Sequence, residues 1–551
     1  MALLPKEAEE IKIMVETTDT LPETYQRWHL YGAGLENVGL EGKPETVPMP
    51  TPAANEILVR HDACGICYSD IKIINLGGEH PRLAGRNLAE NPVVMGHEVA
   101  LTVVAVGQNL QQQFHPGQRY IVQADVYYQG VNLAYGYALT GGMSQYGLIG
   151  PEVLQGDEGC YLLPLHAETG HVEAALVEPW ACVEAAYHWT HRENFREGGH
   201  VLLVGQPWES SVPHEPQTRI GNRYTYTFWN GLGTLPPPPS GFDDIVFNGT
   251  PSPETFETAC SFLAKNGVVC LRLLDKQPLS RPVAVDVGRI HYDGYQFVGT
   301  TDSTQPVAHA YVLNRRAELK AGGVAWFIGA AGPMGQMHVQ RALSLPEPPR
   351  TLICTDRHDH RLETLRNRFA ETAKARGVEL LLFNVRTGST PDWATLAPNG
   401  LDDVVVMVPS IEAIEESFPL LAYGGVLNVF AGVARGTMAV LDISQVALKN
   451  VRVVGTSGST IEDMRVVRDK MEAGILDTAA SLAAIGGLEA FRDGLEAVKN
   501  SRFPGKTVIF PHVKNLPLTG LEELATVRPD VAAKLREGQL WTKEAEEQLL
   551  G

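Results

Sequence analysis

The sequence predicts an α/β protein joined to an all-β region, with two nucleotide-binding-type α/β domains in tandem. Three observations carry this. Residues 56–62 (EILVRHD) alternate as a strand does, and Gly, Pro and Asn punctuate the chain from there to about residue 150. From about residue 195 onward, apolar strand runs alternate with helical patterns, the signature of a parallel sheet covered by helices. The third observation is an internal repeat.

The repeat has three matching blocks. REGGHVLLVG (196–205) resembles KAGGVAWFIG (320–329), an offset of 329 − 205 = 124. GFDDIVFNGTPSPETFETACSFLAKNGVV (241–269) resembles GLDDVVVMVPSIEAIEESFPLLAYGGVL (400–427), an offset of 400 − 241 = 159. YQFVGTTDST (295–304) resembles VRVVGTSGST (451–460), with Gly299 against Gly455. The offset grows by 159 − 124 = 35, so the first copy is shorter by about one strand–helix–strand step.

The two copies differ where a phosphate would bind. In the second, the first strand runs into Gly329-Ala-Ala-Gly332-Pro333-Met334-Gly335 and then a helical pattern. Glycines at such a turn let the backbone approach a pyrophosphate at a helix N-terminus. Strict G-x-G-x-x-G spacing puts Ala330 at the first glycine, so either Gly329 takes that role or Ala330 is tolerated. In the first copy, Gly205 is followed by Gln-Pro-Trp-Glu-Ser-Ser, and a proline run (236–239) stands where a helix cannot form. The first copy is therefore expected not to bind a dinucleotide and to be a structural or oligomerisation domain.

In the second copy the strand TLICTD ends in Asp356, 356 − 335 = 21 residues past the last glycine. A carboxylate there accepts hydrogen bonds from ribose hydroxyls and repels a 2′-phosphate, so NAD is expected rather than NADP. Arg357 and Arg361 stand close by, and either could instead pair with a phosphate or lie on the adenine face.

Bulk properties bound the function class. The 551 residues exceed one ordinary domain, and the formal charge of −19 argues against nucleic acid and anionic membrane as general partners. No apolar run reaches the length of a membrane span, and the acidic start is not a signal peptide. Seven cysteines, an odd number, do not make a disulfide framework. A reducing, cytoplasmic location is expected, with thiolates free to bind metal.

Three short motifs offer metal ligands: Cys64-Gly-Ile-Cys67 after a strand, Gly96-His97-Glu98 opening the next apolar segment, and Glu178-Pro-Trp before a helical pattern. Singly, each is common. Together they supply a thiolate, an imidazole and a carboxylate, and three protein ligands with one open position is how a catalytic zinc is built. No second C-x-x-C is present for a structural zinc.

The ordered series VRHDACGICYSD, GHE, GQRY (117–120), GGMSQY (141–146) and EPWACVEA resembles the zinc-dependent medium-chain alcohol and polyol dehydrogenases. Within them it is most similar to the sorbitol and L-threonine dehydrogenase branch. The segment GAAGPMGQMHVQRA is similar to the L-sorbose 1-phosphate reductase group. The resemblance covers about residues 50–190 and 315–512.

It implies a GroES-like catalytic domain over residues 1–194, completed near 500–515. A degenerate Rossmann-like domain is expected at 195–315, an NAD-binding Rossmann domain at 316–499 and a helical tail at 513–551. It also implies one catalytic zinc held by Cys67, His97 and Glu178, with Glu98 as a labile ligand and Cys64 as a non-ligand neighbour. Ser69 is implied as the hydroxyl that relays the alcohol proton, with Asp70 supporting the site. Asp356 and Arg361 match the ribose and adenine pair. Val408, Ala431 and Gly455 match backbone that lines the nicotinamide. Lys72 stands where the family often has a relay histidine, and the cysteine-rich structural zinc lobe is absent from residues 121–140.

The expected reaction interconverts a secondary alcohol (a polyol, sugar or sugar phosphate) and a ketone by hydride transfer with NAD. The partner is a small molecule, and the resemblance implies a homodimer or homotetramer. Two rival readings are an epimerase or eliminase that retains its NAD, and an inactive scaffold. The joint presence of the ligands, the serine and the glycine turn argues against the scaffold.

Overall fold

A computed structural model describes residues 14–15, 21–83, 85–189, 192–205, 225–235 and 237–551. Residues 206–211, which follow Gly205 in the first copy, and Pro236 lie outside the described residues. The chain forms two compact units, Met1–Cys182 with Gly458–Gly551, and Val183–Ser457.

The first unit is built on a nine-stranded sheet. Its centre is the pair Ile57–Ile66 and Glu98–Val106. The second of these reads EVALTVVAV, and all nine residues are buried. A β-branched run with no polar alternation suits a strand covered on both faces. On the other side of Ile57–Ile66 lies Lys506–Phe510, antiparallel, with Ile509 opposite Cys64 and Thr507 opposite Ile66. The chain thus returns, more than four hundred residues later, to the strand that carries the C-x-x-C motif.

The tail is part of this unit. Thr519–Gly520 adds a short strand to the sheet. The last helix, Lys543–Leu550, turns Glu546 inward, where its carboxylate accepts from the backbone N–H of His171 and of Val172. Those N–H groups open the helix His171–Ala175 and have no partner within it. The Glu546 cap and buried Trp541 knit this tail into the fold.

The second unit holds two parallel sheets. One has five strands in the order Thr225–Trp229, His200–Gly205, Phe242–Asn248, Leu263–Arg272, Gln296–Thr300. The other has six, in the order Glu379–Asn384, Thr351–Asp356, Val324–Ile328, Leu401–Val406, Leu421–Val429, Arg452–Val454. The orders correspond strand for strand, and among the described residues the first sheet has no counterpart of Glu379–Asn384. That is the step missing from the shorter repeat. Val283–Asp286 and Met438–Leu441 pair antiparallel as a separate two-stranded sheet.

The repeated Asp-Asp pairs are structural. Asp244 accepts from Arg196 N and pairs with Arg192, and Asp243 accepts from His200 N. In the second copy Asp403 accepts from Lys320 N and pairs with Arg316, and Asp402 accepts from Val324 N. In each copy the carboxylates tie down the turn that leads into the central strand, satisfying N–H groups the sheet leaves open. Among the described residues no helix is long and apolar enough to cross a membrane.

Candidate functional site

The C-x-x-C strand ends where a helix begins. Cys67 is the N-cap of Tyr68–Leu76, and its backbone N–H donates to Asp70 Oδ2 at 2.9 Å. That bond holds the first turn and fixes Cys67, Ser69 and Asp70 relative to one another. Gly65 lies opposite Glu98 across the sheet. A Cβ at Gly65 would come 2.0 Å from Glu98 Oε2, so this glycine makes room for the carboxylate. The spacing of C-G-I-C is therefore tied to the G-H-E motif through one cross-strand pair.

The ligand atoms of Cys67, His97 and Glu98 lie within 4.8 Å of one another, and among the described residues this is the one group of three or more His, Cys, Asp and Glu that could hold a metal. Glu178 is outside that triplet. Its buried carboxyl nonetheless feels His97, Glu98 and Lys506, and burial pushes it up to about 7. Cys182 Sγ donates to it at 3.7 Å. Cys64 also stays out: its buried thiol points at Gly65 O, and burial raises it far above its ordinary range.

The donor set fits a metal on its own chemistry. Glu98 Oε2, His97 Nδ1 and Asp70 Oδ1 are buried polar atoms without a hydrogen-bond partner. Orphaned buried acceptors and donors are costly, and a cation among a thiol, an imidazole and a carboxylate removes much of that cost.

Around the triplet the side chains form a chain of contacts. Ser69 Oγ lies 3.1 Å from His97 Nε2, and Asp70 Oδ1 lies 3.6 Å from His97 Nδ1. Burial opposes charge on His97, but Tyr137 and Asp70 hold its pKa well above the ordinary value. Lys506 Nζ donates to Glu98 in a buried ion pair. Burial would lower the lysine, yet Glu98 and Cys67 raise it.

Sequence reasoning missed Lys506, Tyr137 and Arg82. Tyr137 is buried, with its ring 5.6 Å from His97 and 5.5 Å from His80, and the Arg82 guanidinium stands 5.0 Å over it. Burial raises the phenol's pKa, and the neighbouring Ser69 hydroxyl offsets part of that rise. Arg82 in turn pairs with Asp125 at 2.6 Å. One signal was present for Lys506: a lysine heads the strand KTVIF, and lysine is almost never buried unless paired.

The glycine turn lies in the second unit, between Val324–Ile328 and the helix Pro333–Ser344. Gly329 has φ +82, and a Cβ there would meet Val408 Cγ1 at 2.5 Å. It is thus Gly329, not Ala330, that makes the tight turn. Gly335 has no room for a side chain, since a Cβ would sit 2.4 Å from Gly329 O. At Gly332 the nearest atom is 3.7 Å away, leaving the turn open at the helix N-terminus. Pro333 and Met334 are the first two residues of that helix.

Asp356 faces this turn. Its Oδ2 accepts from Ala331 N at 3.2 Å, and its Oδ1 accepts from Arg357 N at 2.7 Å. Arg361 is buried beside it, and burial lowers its pKa against the pull of Asp356. Val408 follows the Leu401–Val406 strand and packs on Gly329; Ala431 N donates to Val406 O at 2.9 Å. Gly455 follows Arg452–Val454, with Val429 O 3.0 Å from where its Cβ would be. Asp356 ends its parallel strand, and the turn, Val408, Ala431 and Gly455 follow the C-terminal ends of theirs, where open α/β sheets bind ligands.

Residues 53–155 match a family described as the alcohol dehydrogenase GroES-like domain. The chain carries that domain. Two curated relatives extend along nearly its whole length. Mannitol-1-phosphate 5-dehydrogenase of Aliivibrio fischeri is 24% identical, over 92% of this chain and 94% of the relative. L-sorbose 1-phosphate reductase of Klebsiella pneumoniae is 26% identical, again over 92% and 94%. The crystal structure of 2R,3R-butanediol dehydrogenase from Bacillus subtilis shares the fold at a TM-score of 0.50 and 14% identity, covering 89% of this chain and 100% of that one. The resemblance to medium-chain alcohol and polyol dehydrogenases thus reaches well beyond the GroES-like domain, and these relatives support oxidoreduction of an alcohol as its chemistry.

Proposed function

We propose that this protein is a zinc- and NAD-dependent dehydrogenase that interconverts a secondary alcohol of a polyol, sugar or sugar phosphate with the corresponding ketone. The observation that carries this reading is the triplet of half-buried Cys67 with buried His97 and Glu98, and Ser69 Oγ 3.1 Å from the imidazole. Cys67 and His97 would hold the metal together with a carboxylate, drawn from Glu98 or Glu178. When bound, zinc supplies Lewis acidity that eases loss of an alcohol proton, and NAD supplies the hydride acceptor.

The chain's own residues do the rest. Ser69 takes the substrate's hydroxyl proton, and the Tyr137 phenol, which stands beside Ser69 and His97, is the group placed to carry a proton onward. Asp70, with Oδ1 3.6 Å from His97 Nδ1, is the carboxylate placed to orient the imidazole. The Gly329–Gly335 turn offers backbone N–H groups to a pyrophosphate. Asp356 orders that turn through Ala331 and accepts from ribose, which favours NAD over NADP.

The two sugar-phosphate relatives make phosphorylated polyols the first substrates to try. Polyols and their 1-phosphates would be incubated with zinc-loaded protein and NAD, following NADH absorbance and ketone product together. Equal amounts of NADH and ketone are expected. Product without net NADH would replace this reading with an NAD-retaining epimerase or eliminase.

A further inference from the structure

The two parallel sheets of the second unit meet through equivalent elements. Gly299 and Gly455 are equivalent in the repeat, an offset of 455 − 299 = 156. In the antiparallel pair Val283–Asp286 with Met438–Leu441, Ala284 lies opposite Val440, and 284 + 156 = 440. The central residue therefore pairs with its own repeat image. Val283 lies opposite Leu441 and Val285 opposite Ala439, and each of these pairs is the image of the other under the same offset.

The symmetry extends beyond the strands. A Cβ at Gly299 would meet Ala447 Cα at 2.9 Å, and one at Gly455 would meet His291 Cα at 3.0 Å. The offset carries Gly299 to Gly455 and His291 to Ala447, so these are again one contact made twice. A Cβ at Gly288 would lie 2.8 Å from Arg435 N, while Ser444 Oγ accepts from Leu279 N at 2.8 Å. Gly288 maps to Ser444, and Leu279 maps to Arg435. Three independent pairs obey one operator.

Contacts in which residue i touches j while j's image touches i's image define an isologous, two-fold interface. Two domains that packed without such symmetry would touch through unrelated patches. Here one hydrophobic core runs through both copies, from Leu202 and Val285 to Ala439 and Val453. We infer that the first copy is an in-chain partner subunit: it docks on the second about a pseudo-two-fold axis, as a second copy of the chain would. It thereby covers the edge Met438–Leu441 and leaves one glycine turn for each docked pair.

An uncovered edge strand is a template for pairing with another chain. The first copy keeps the strand, the helix Val287–Asp293 and the glycine that this docking uses, although its phosphate turn is not kept. Its helix also presses His291 onto the backbone of Gly455 and Val429, with His291 Nδ1 3.1 Å from Val429 O. The copy without the glycine turn is in this reading a wall of the copy that has it.

Single cysteines test this, in a Cys160→Ser background because Cys160 is exposed. Val440→Cys alone, and Ala284→Cys with Val440→Cys, would be treated with a short bismaleimide and weighed under denaturing conditions. The double variant is expected to give an intrachain crosslink at the mass of one chain, and Val440→Cys alone no covalent dimer. A true two-fold between chains would place Val440 opposite Val440, so a covalent dimer from the single variant would overturn the inference. A covalent dimer from the double variant, or no crosslink at all, would also overturn it.

Discussion

Lys506 Nζ and the Glu98 carboxylate form a buried ion pair across a sequence separation of 408 residues. Removing the lysine leaves a buried carboxylate without its cation, and such losses typically cost about 3–5 kcal/mol. Lys506→Met is therefore expected to lower the melting temperature strongly in chelator-treated protein. Zinc should restore part of that loss, because the metal replaces the missing charge. Calorimetry with and without zinc checks this, and equal losses in both would show that Glu98 does not face the metal.

Cys67 and Cys64 are three residues apart, but only Cys67 belongs to the ligand triplet. Cys67→Ala is expected to lose zinc and at least about 100-fold in kcat/KM, since the site then lacks its thiolate. Cys64→Ala should keep its zinc and lose stability only, by about 1–2 kcal/mol for a small buried side chain. Metal analysis beside kinetics separates them, and a zinc-loaded, fully active Cys67→Ala protein would end the site assignment.

Ser69→Ala should hold zinc and NAD normally and lose about 10²–10⁴-fold in kcat, the range for a displaced acid–base group. Tyr137→Phe should show a smaller loss in kcat and a shifted pH–rate profile, because the phenol stands beside His97 and Ser69. An unchanged profile in Tyr137→Phe would place the onward proton path elsewhere.

Asp356→Ser removes the acceptor for Ala331 N and Arg357 N. KM for NAD is expected to rise about tenfold, near 1.4 kcal/mol for the lost hydrogen bonds. The ratio of NADP to NAD efficiency should rise, since the carboxylate no longer repels a 2′-phosphate. Kinetics with both cofactors provide the measurement, and an unchanged ratio would remove Asp356 from cofactor selection.

Two buried histidines set an acid limit on stability. Burial holds His61 near a pKa of about 4 and His338 near about 3, both below the ordinary 6.5. The unfolded chain binds protons at these rings below pH 6.5 while the folded chain does not. Stability is therefore present above 6.5 and is lost as pH falls toward the folded values, by about 2 kcal/mol per ring at pH 5. Urea midpoints at pH 7.5 and 5 should differ accordingly, and His338→Phe should flatten the dependence.

Much of this was legible in the residues. The glycine turn and Asp356 were readable because each is local: a strand, a turn and a helix start lie within some thirty residues, and their periodicity is a property of neighbours; the repeat was readable because similar segments recur in the same order along the chain. The ligand types were readable for the same reason, as short motifs. What local pattern could not rank was Glu98 against Glu178. That depends on Gly65 standing opposite Glu98 and on Lys506 arriving from the far end of the chain.

The sequence by itself determined the fold class, the two copies and the chemical kinds of group present, because hydrophobic period, turn residues and side-chain identity are written along the chain. Only the tertiary structure decided that Cys67, His97 and Glu98 share one 4.8 Å neighbourhood, that Gly329 rather than Ala330 takes the left-handed turn, and that Ala284 meets its own image at Val440. Those are relations between residues far apart in sequence or set by backbone angle. They are fixed by strand pairing and close packing, where a side chain's neighbours come from whichever segment the sheet brings alongside.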